Sequence, residues 1–288
     1  MKRMLAGVVL AATTATLVAA TPAMAAAPKN PVVAIKKQLA PGKGVKFTER
    51  TIIDSDGKRE VFVRRSGTLQ FSRSGIAASD ITGKFNISLK DLGSDTEEVP
   101  DLLKGLAAQE RTIRVGTTSY MSGGMWGTML PEDKTWFKYP KGPTGGLTGT
   151  YGQPLNLAES ATLKTLFKGA KPASGGYAGK ITVGDLWKVS PWYRATVLSK
   201  PAKKALKGTI SWRVTLNSAG LPTRLVSTFP VSAVTGAGKG TVNVDTGFSG
   251  WGAAVAIKAP PADEVATEFK NGEDDGSMVW DSLGSFGG

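Results

Sequence analysis

The sequence predicts a single α+β domain made of antiparallel sheet and three short helices. Three observations predict it. Alternating apolar and polar residues recur through 45–72, 111–121 and 209–230, joined by turns rich in Asp, Asn, Ser and Gly. A period of two marks half-buried strands. Helical spacing is confined to 31–39, 101–108 and 157–168. Finally, 41% apolar and 20% charged residues describe a folded chain, and 36 glycines in 288 residues predict many turns.

Lys2 and Arg3 precede an uncharged apolar stretch, Leu5 to Ala20, and Ala23-Met24-Ala25 gives a small-x-small cleavage pattern. Residues 1–25 are expected to be a secretory signal peptide, cut before Ala26. The alternative is an uncleaved anchor, although the run is short for a spanning helix, which needs about 20 residues. No later segment is apolar enough to span. The domain is expected over 26–262.

Pro31 to Leu39 places Val32, Ile35 and Leu39 on one helical side, before Pro41-Gly42-Lys43-Gly44 breaks the helix. In 45–72 the Asp54-Ser55-Asp56-Gly57 turn joins two alternating runs into a hairpin. Ile81 to Leu89 predicts another strand. Asp101 caps a short helix carrying Leu102, Leu103 and Leu106. Arg111 to Met121 alternates with Ile113 and Val115 on one face, and 134–139 is an aromatic strand.

The glycine- and proline-rich segment 140–154 is expected to be a flexible loop and a candidate lid. Asn156 with Glu159 then predicts a helix start, with Leu163, Leu166 and Phe167 as the apolar stripe of 157–168. Residues 171–179 are expected as loop, and 180–198 as one or two strands. Thr209 to Leu216 is the clearest strand, with Ile210, Trp212, Val214 and Leu216 on one face. Asn217 to Gly220 is its turn and Leu221 to Pro230 the return. Gly240–Asp245 and Ala253–Ile257 supply the last pair. Residues 263–288, acidic and then Gly/Ser-rich, are expected to be a mobile tail that docks at most through Trp280.

Chemistry is restricted by what is missing. The chain has no cysteine and no histidine. This removes thiolate nucleophiles, Ser-His-Asp triads and His- or Cys-bound metals. Gly247-Phe-Ser-Gly-Trp251 departs from a nucleophile elbow at Trp251. Ser55-Asp-Gly-Lys58 sits in a hairpin turn without companion motifs. The glycines 236, 238 and 240 have neither dinucleotide nor phosphate-loop spacing, and Asp54 and Asp56 lack the further ligands of a calcium loop. Paired carboxylates for glycan hydrolysis are a further alternative, but the acidic residues fall mainly in turns and the tail. No cofactor is expected.

The net charge of +13 points to an anionic partner. Export excludes nucleic acid as that partner. Lys200, Lys203, Lys204 and Lys207 form a basic connector suited to an anionic envelope surface. Several of the seven tryptophans lie on alternating strands, where they either pack a core or line an open apolar cavity.

One resemblance bears on that choice. Its elements are Lys180-Ile-Thr-Val-Gly-Asp-Leu-Trp187, Asn217-Ser-Ala-Gly-Leu-Pro222-Thr-Arg224, and Val244-Asp-Thr-Gly-Phe-Ser-Gly-Trp-Gly252 running to Ile257-Lys-Ala-Pro-Pro261. This order resembles the LppX-type actinobacterial lipoproteins, a family similar in fold to the LolA-like lipoprotein carriers. Specific motifs cover only 209–261. The lipobox cysteine that usually tethers such proteins is missing. The resemblance implies a curved, half-open antiparallel β-barrel closed by short helices around an apolar cavity, and non-enzymatic carriage of a lipid or other hydrophobic ligand.

On that reading the sheet residues expected to line the cavity are Val61, Val63, Ile113, Val115, Trp212 and Val214. From the helices come Leu102, Leu106, Leu163 and Phe167. A one-residue error of register would invert the sheet set. The protein is then an exported, monomeric binding protein. The alternatives are an envelope protein with a filled core and a basic binding surface, and a carboxylate-dependent glycan hydrolase.

Overall fold

The computed structural model describes residues 30–88, 101–197, 199–235 and 238–270. The expected signal peptide and the last part of the acidic tail, with Trp280, lie outside the described residues.

The core element is one twelve-stranded sheet. In chain order the strands are β1 Lys43–Ser55, β2 Lys58–Phe71, β3 Ile76–Phe85, β4 Glu110–Val115, β5 Thr118–Gly123, β6 Trp136–Pro140, β7 Lys171–Ala173, β8 Gly176–Thr182, β9 Thr209–Leu216, β10 Pro222–Pro230, β11 Thr241–Ala254 and β12 Val265–Ala266. Their spatial order is β12-β6-β5-β4-β3-β2-β1-β11-β10-β9-β8-β7. All neighbours are antiparallel except β12 with β6. The outer strands β12 and β7 do not pair with each other, so the curved sheet is not closed by hydrogen bonds. Register shifts at Gly44/Lys46, Thr51/Ile52, Gln70/Phe71 and Pro222/Arg224 bend it, as bulges do.

Turn chemistry follows the sequence. Asp56 and Gly57, both with positive φ (53° and 76°), make the two-residue turn between β1 and β2. The helices are short: α1 Pro31–Lys36, α2 Asp101–Ala107, α3 Gly124–Met129, α4 Ser160–Lys168, α5 Val183–Val189, α6 Pro191–Thr196 and α7 Ser232–Thr235. No described helix is long and apolar enough to cross a membrane.

Several expectations are corrected. Residues 183–196 form two helices, not strand. Thr182 Oγ1 accepts from Asp185 N, and Ser190 Oγ accepts from Tyr193 N ahead of Pro191 at the first helical position. These local caps outweigh the β propensity of the aromatic residues. The third expected helix starts at Ser160, not 157, because Asn156 Oδ1 is used by Ala158 N in a tight turn. Residues 171–173 and 176–179 pair as strands rather than loop. Ala253 belongs to one long strand, β11, rather than to a separate partner.

The largest correction concerns the glycine-rich segment. Residues 142–149 and 152–159 are buried. This stretch runs through the concave side of the sheet as an internal plug and is no surface lid. A buried backbone must find hydrogen-bond partners, and the sheet supplies them. Thr51 Oγ1 donates to the Tyr151 carbonyl at 2.6 Å, Ser119 Oγ to the Pro143 carbonyl at 2.8 Å, and Glu110 accepts from Leu147 N and Thr148 N.

Within 263–270, expected in the tail, Ala266 and Phe269 are buried. Val265 and Ala266 pair with Trp136 and Phe137, and Phe269 stacks on Phe137 at 4.0 Å.

Three apolar clusters flank the plug. Beneath α1, α4, α5 and α6, Leu163, Leu166 and Leu186 meet Ile210, Trp212 and Val214. At the other side, Met125 and Trp126 of α3 meet Val63, Phe85 and Met121. Between them Val45, Phe47, Leu69 and Phe71 pack under Ala158.

Candidate functional site

The inner face of the central strands carries charge. Arg65 and Glu49, each with 2% side-chain exposure, form an ion pair of 2.9 Å. Glu49 Oε2 also accepts from Thr246 Oγ1, which accepts from Gln153 Nε2 of the plug. Gln153 Oε1 accepts from Ser227 Oγ. Glu110 accepts from Trp126 Nε1 at 3.1 Å besides its two plug amides. Burial pushes its carboxyl above the ordinary range against those bonds. These groups anchor the plug; none faces open space able to admit a substrate.

Two cavities border the plug. The smaller one, about 30 Å³, is walled by Val45, Phe47, Leu69, Leu157, Phe248 and Trp251 among others. The larger one, about 520 Å³, opens where the β2–β3 and β4–β5 turns face α4 and α6. Its volume lies within the roughly 300–1,000 Å³ of small-molecule sites. Trp192 and Asn156 line both cavities.

The wall of the larger cavity is built from four directions. Ile76, Ala77, Ala78 and Ser79 come from β3, and Arg114 from β4. Thr144 comes from the plug, and Val189, Pro191, Trp192 and Ala195 from the α5–α6 segment. The plug is tied to α6 by Thr144 N donating to the Ala195 carbonyl at 2.7 Å. Glu159, at the edge of the wall, has both oxygens in use. Thr162 Oγ1 and Ser190 Oγ donate to Oε2, and Trp192 N donates to Oε1. Burial raises its pKa, and Arg194 is the cation that works against that rise. Burial likewise pushes the nearby Tyr193 phenol up to about 12.

The ten sequence-predicted residues are divided among several places. Leu163, Phe167, Trp212 and Val214 come together beneath α4, where Phe167 and Trp212 rings lie 5.6 Å apart. Val63 and Leu106 meet in the α3 cluster. Val61 is half-buried and joins none of the three clusters. The side chain of Leu102 lies outside the described residues.

Ile113 and Val115 share the strand face of the exposed Arg111–Asp80 pair; Ile113 is buried there, at 6% exposure, whereas Val115 is 37% exposed. The inner face of β4 carries Glu110, Thr112 and Arg114 instead. On β4 the inward phase falls one residue from the expected one, and there Glu110 bonds the plug amides, whereas Val63, Trp212 and Val214 of the other strands are buried. Of the nine residues with described side chains, none lines either cavity. The residues that do line them were missed. An arginine on the inward phase of a strand, opposite Ser79 on β3, was the available signal.

No family model matches the chain, and no curated protein matches it. Among solved structures, the chain is similar to a LolA superfamily protein from Nitrosomonas europaea. The TM-score is 0.34 and the identity 8%, over 82% of this chain and 96% of that one. It is also similar to a hypothetical protein from Chlamydia trachomatis, with a TM-score of 0.30 and 14% identity over 79% and 98% of the two chains. Likenesses this distant assign neither a family nor a function.

Proposed function

We propose that the protein is an exported, non-enzymatic binding protein that holds a lipid or other hydrophobic small molecule in the 520 Å³ cavity between β3–β4 and α6. The observation that carries this reading is the cavity itself, whose wall sets the apolar Ile76, Ala77, Ala78, Val189, Pro191 and Trp192 beside polar residues such as Ser79, Arg114, Thr144 and Asn156. Each methylene taken out of water into such walls contributes roughly 0.8 kcal/mol. The centre of the curved sheet is filled by residues 142–159, so the site sits at the seam between sheet and helices rather than at the centre.

The resemblance of 209–261 to LppX-type lipoproteins supports carriage of a lipid-like ligand, and the 1–25 pattern supports export. Lys200, Lys203, Lys204 and Lys207 are all exposed around the short 3₁₀ turn Ala205–Lys207. They provide a basic surface for an anionic envelope.

The test is native mass spectrometry of the secreted protein, as purified and after delipidation and titration with decanol and decanoic acid. A saturable one-to-one adduct, lost in an Ala195→Trp variant that fills the cavity, is expected. A folded protein that takes up neither ligand would overturn the reading.

A further inference from the structure

We infer that this cavity selects an anionic head group, a carboxylate or phosphate monoester carried on an acyl chain, and that Arg114 is its receptor. The inference rests on the reading of the cavity as a ligand site and adds the ligand's charge.

The inward-facing charges of the sheet, among the described residues, are Glu49, Arg65, Glu110 and Arg114. The first two pair with each other, and Glu110 accepts three N–H donors. Arg114 has neither an ion pair nor a side-chain hydrogen bond, and its Nε is shut off from solvent. Burial alone acts on its guanidinium, in the direction of lower pKa. The guanidinium is therefore half-buried, with its Nε enclosed and unpaired, and an unpaired enclosed donor of a charged group is costly.

Other groups of the same cavity have the same deficit. Ser79 Oγ, Thr144 Oγ1 and Asn156 Nδ2 also line the cavity, are buried, and lack a partner. Ser79 is the cross-strand neighbour of Arg114. The Asn156 Nδ2 and the guanidinium can only donate, and the two hydroxyls can donate or accept. What the cavity lacks is therefore an acceptor, and beside Arg114 one with negative charge. Glu159 does not supply it, since its oxygens are engaged by Thr162, Ser190 and Trp192. The planar fork of an arginine matches two oxygens of a carboxylate or phosphate. The apolar remainder of the wall matches a chain attached to that group.

The experiment titrates the delipidated full-length mature protein with decanoate, decyl phosphate, decanol and inorganic phosphate, read by calorimetry. Decanoate or decyl phosphate should bind at least tenfold more tightly than decanol. Arg114→Gln should reduce that preference to near unity. Thr144→Val, which keeps the side-chain shape, should reduce the preference several-fold and guards against a folding defect in the first variant.

Equal binding of decanol and the two anions, or a preference that survives Arg114→Gln, would overturn the role of Arg114 while leaving the cavity as a ligand site. Failure of all four probes to bind would overturn both readings. Inorganic phosphate binding as tightly as decyl phosphate would remove the acyl chain from the inference and leave Arg114 as an anion receptor.

Discussion

Nη1 of Arg65 stands 1.4 Å from the position that a Cβ on residue 152 would take. Gly152 is therefore glycine for lack of room rather than for mobility. The same holds along the plug. A Cβ at 145 would lie 2.5 Å from Arg65 Nη2, and one at 146 would lie 2.7 Å from Glu110 Oε2; both glycines also have positive φ. From the sheet side, a Cβ at Gly83 would meet Thr148 Oγ1 at 2.1 Å.

Gly152→Ala should consequently destabilise the fold by about 3 kcal/mol or more, since it displaces a buried ion pair as well as overpacking the interior. Gly127→Ala is the control. Gly127 is an exposed helical residue with open space around its missing side chain. There the change should stabilise by roughly 0.5–1 kcal/mol. Urea denaturation of both variants checks the contrast; equal effects would show that the plug is not closely packed.

The Glu49–Arg65 pair should behave as a unit. Arg65 already has Nε and Nη2 without partners, so it depends on the single 2.9 Å contact to Glu49. Glu49→Gln should cost about 3–5 kcal/mol by leaving a buried cation unpaired. Arg65→Met should cost a similar amount. The double variant should be less destabilised than the sum of the two by about 2 kcal/mol. Additive losses in a double-mutant cycle would mean that the pair contributes no coupling.

Particular residues show how far the sequence could be read. The β1–β2 hairpin was legible because Asp56-Gly57 can adopt the φ values that the turn requires. The Thr209–Leu216 strand was legible because its alternation is uninterrupted. The plug was not, since glycine needed for close approach and glycine needed for motion look the same in one dimension. On β4 the alternation favours Ile113 and Val115 as the inner face because apolar residues usually lie inside, and Ile113 is indeed buried. Only knowledge that a polypeptide segment lies against β4 would reverse that inference and bring Arg114 into view. The cavity itself joins segments as distant as Ser74 and Ala195, which no local pattern connects.

Stability should fall as pH rises above the ordinary glutamate range. Burial raises the pKa of Glu110 above its usual 4.5, so the folded chain keeps this proton to higher pH than the unfolded chain does. Between the unfolded and folded values the folded state binds more protons, and raising pH there favours unfolding. Glu159 acts in the same direction. Asp245, held low by Arg224 and Arg50, acts oppositely: its contribution is lost only as pH falls below 3.8 towards the depressed folded value. Urea midpoints measured from pH 4 upwards should therefore decline. The decline should be shallower in Glu110→Gln, whatever that variant's overall stability. An unchanged slope would remove Glu110 as its source.

Phe269 should matter to the stability of the whole sheet although it follows the last strand. Its ring stacks on Phe137 at 4.0 Å and it is 5% exposed. The next residue, Lys270, donates its backbone N–H to the Met129 carbonyl. Together these contacts hold β12 on the edge of β6, covering a strand edge that would otherwise offer unpaired backbone groups. Phe269→Ala should cost about 3 kcal/mol if the site stays folded and cannot collapse around the lost ring. A smaller loss, with amide protection falling first in β12 and β6, would mean that this edge opens as a local unit. Native-state hydrogen exchange separates these outcomes. Unchanged stability and unchanged protection together would show that residues 263–270 do not support the sheet.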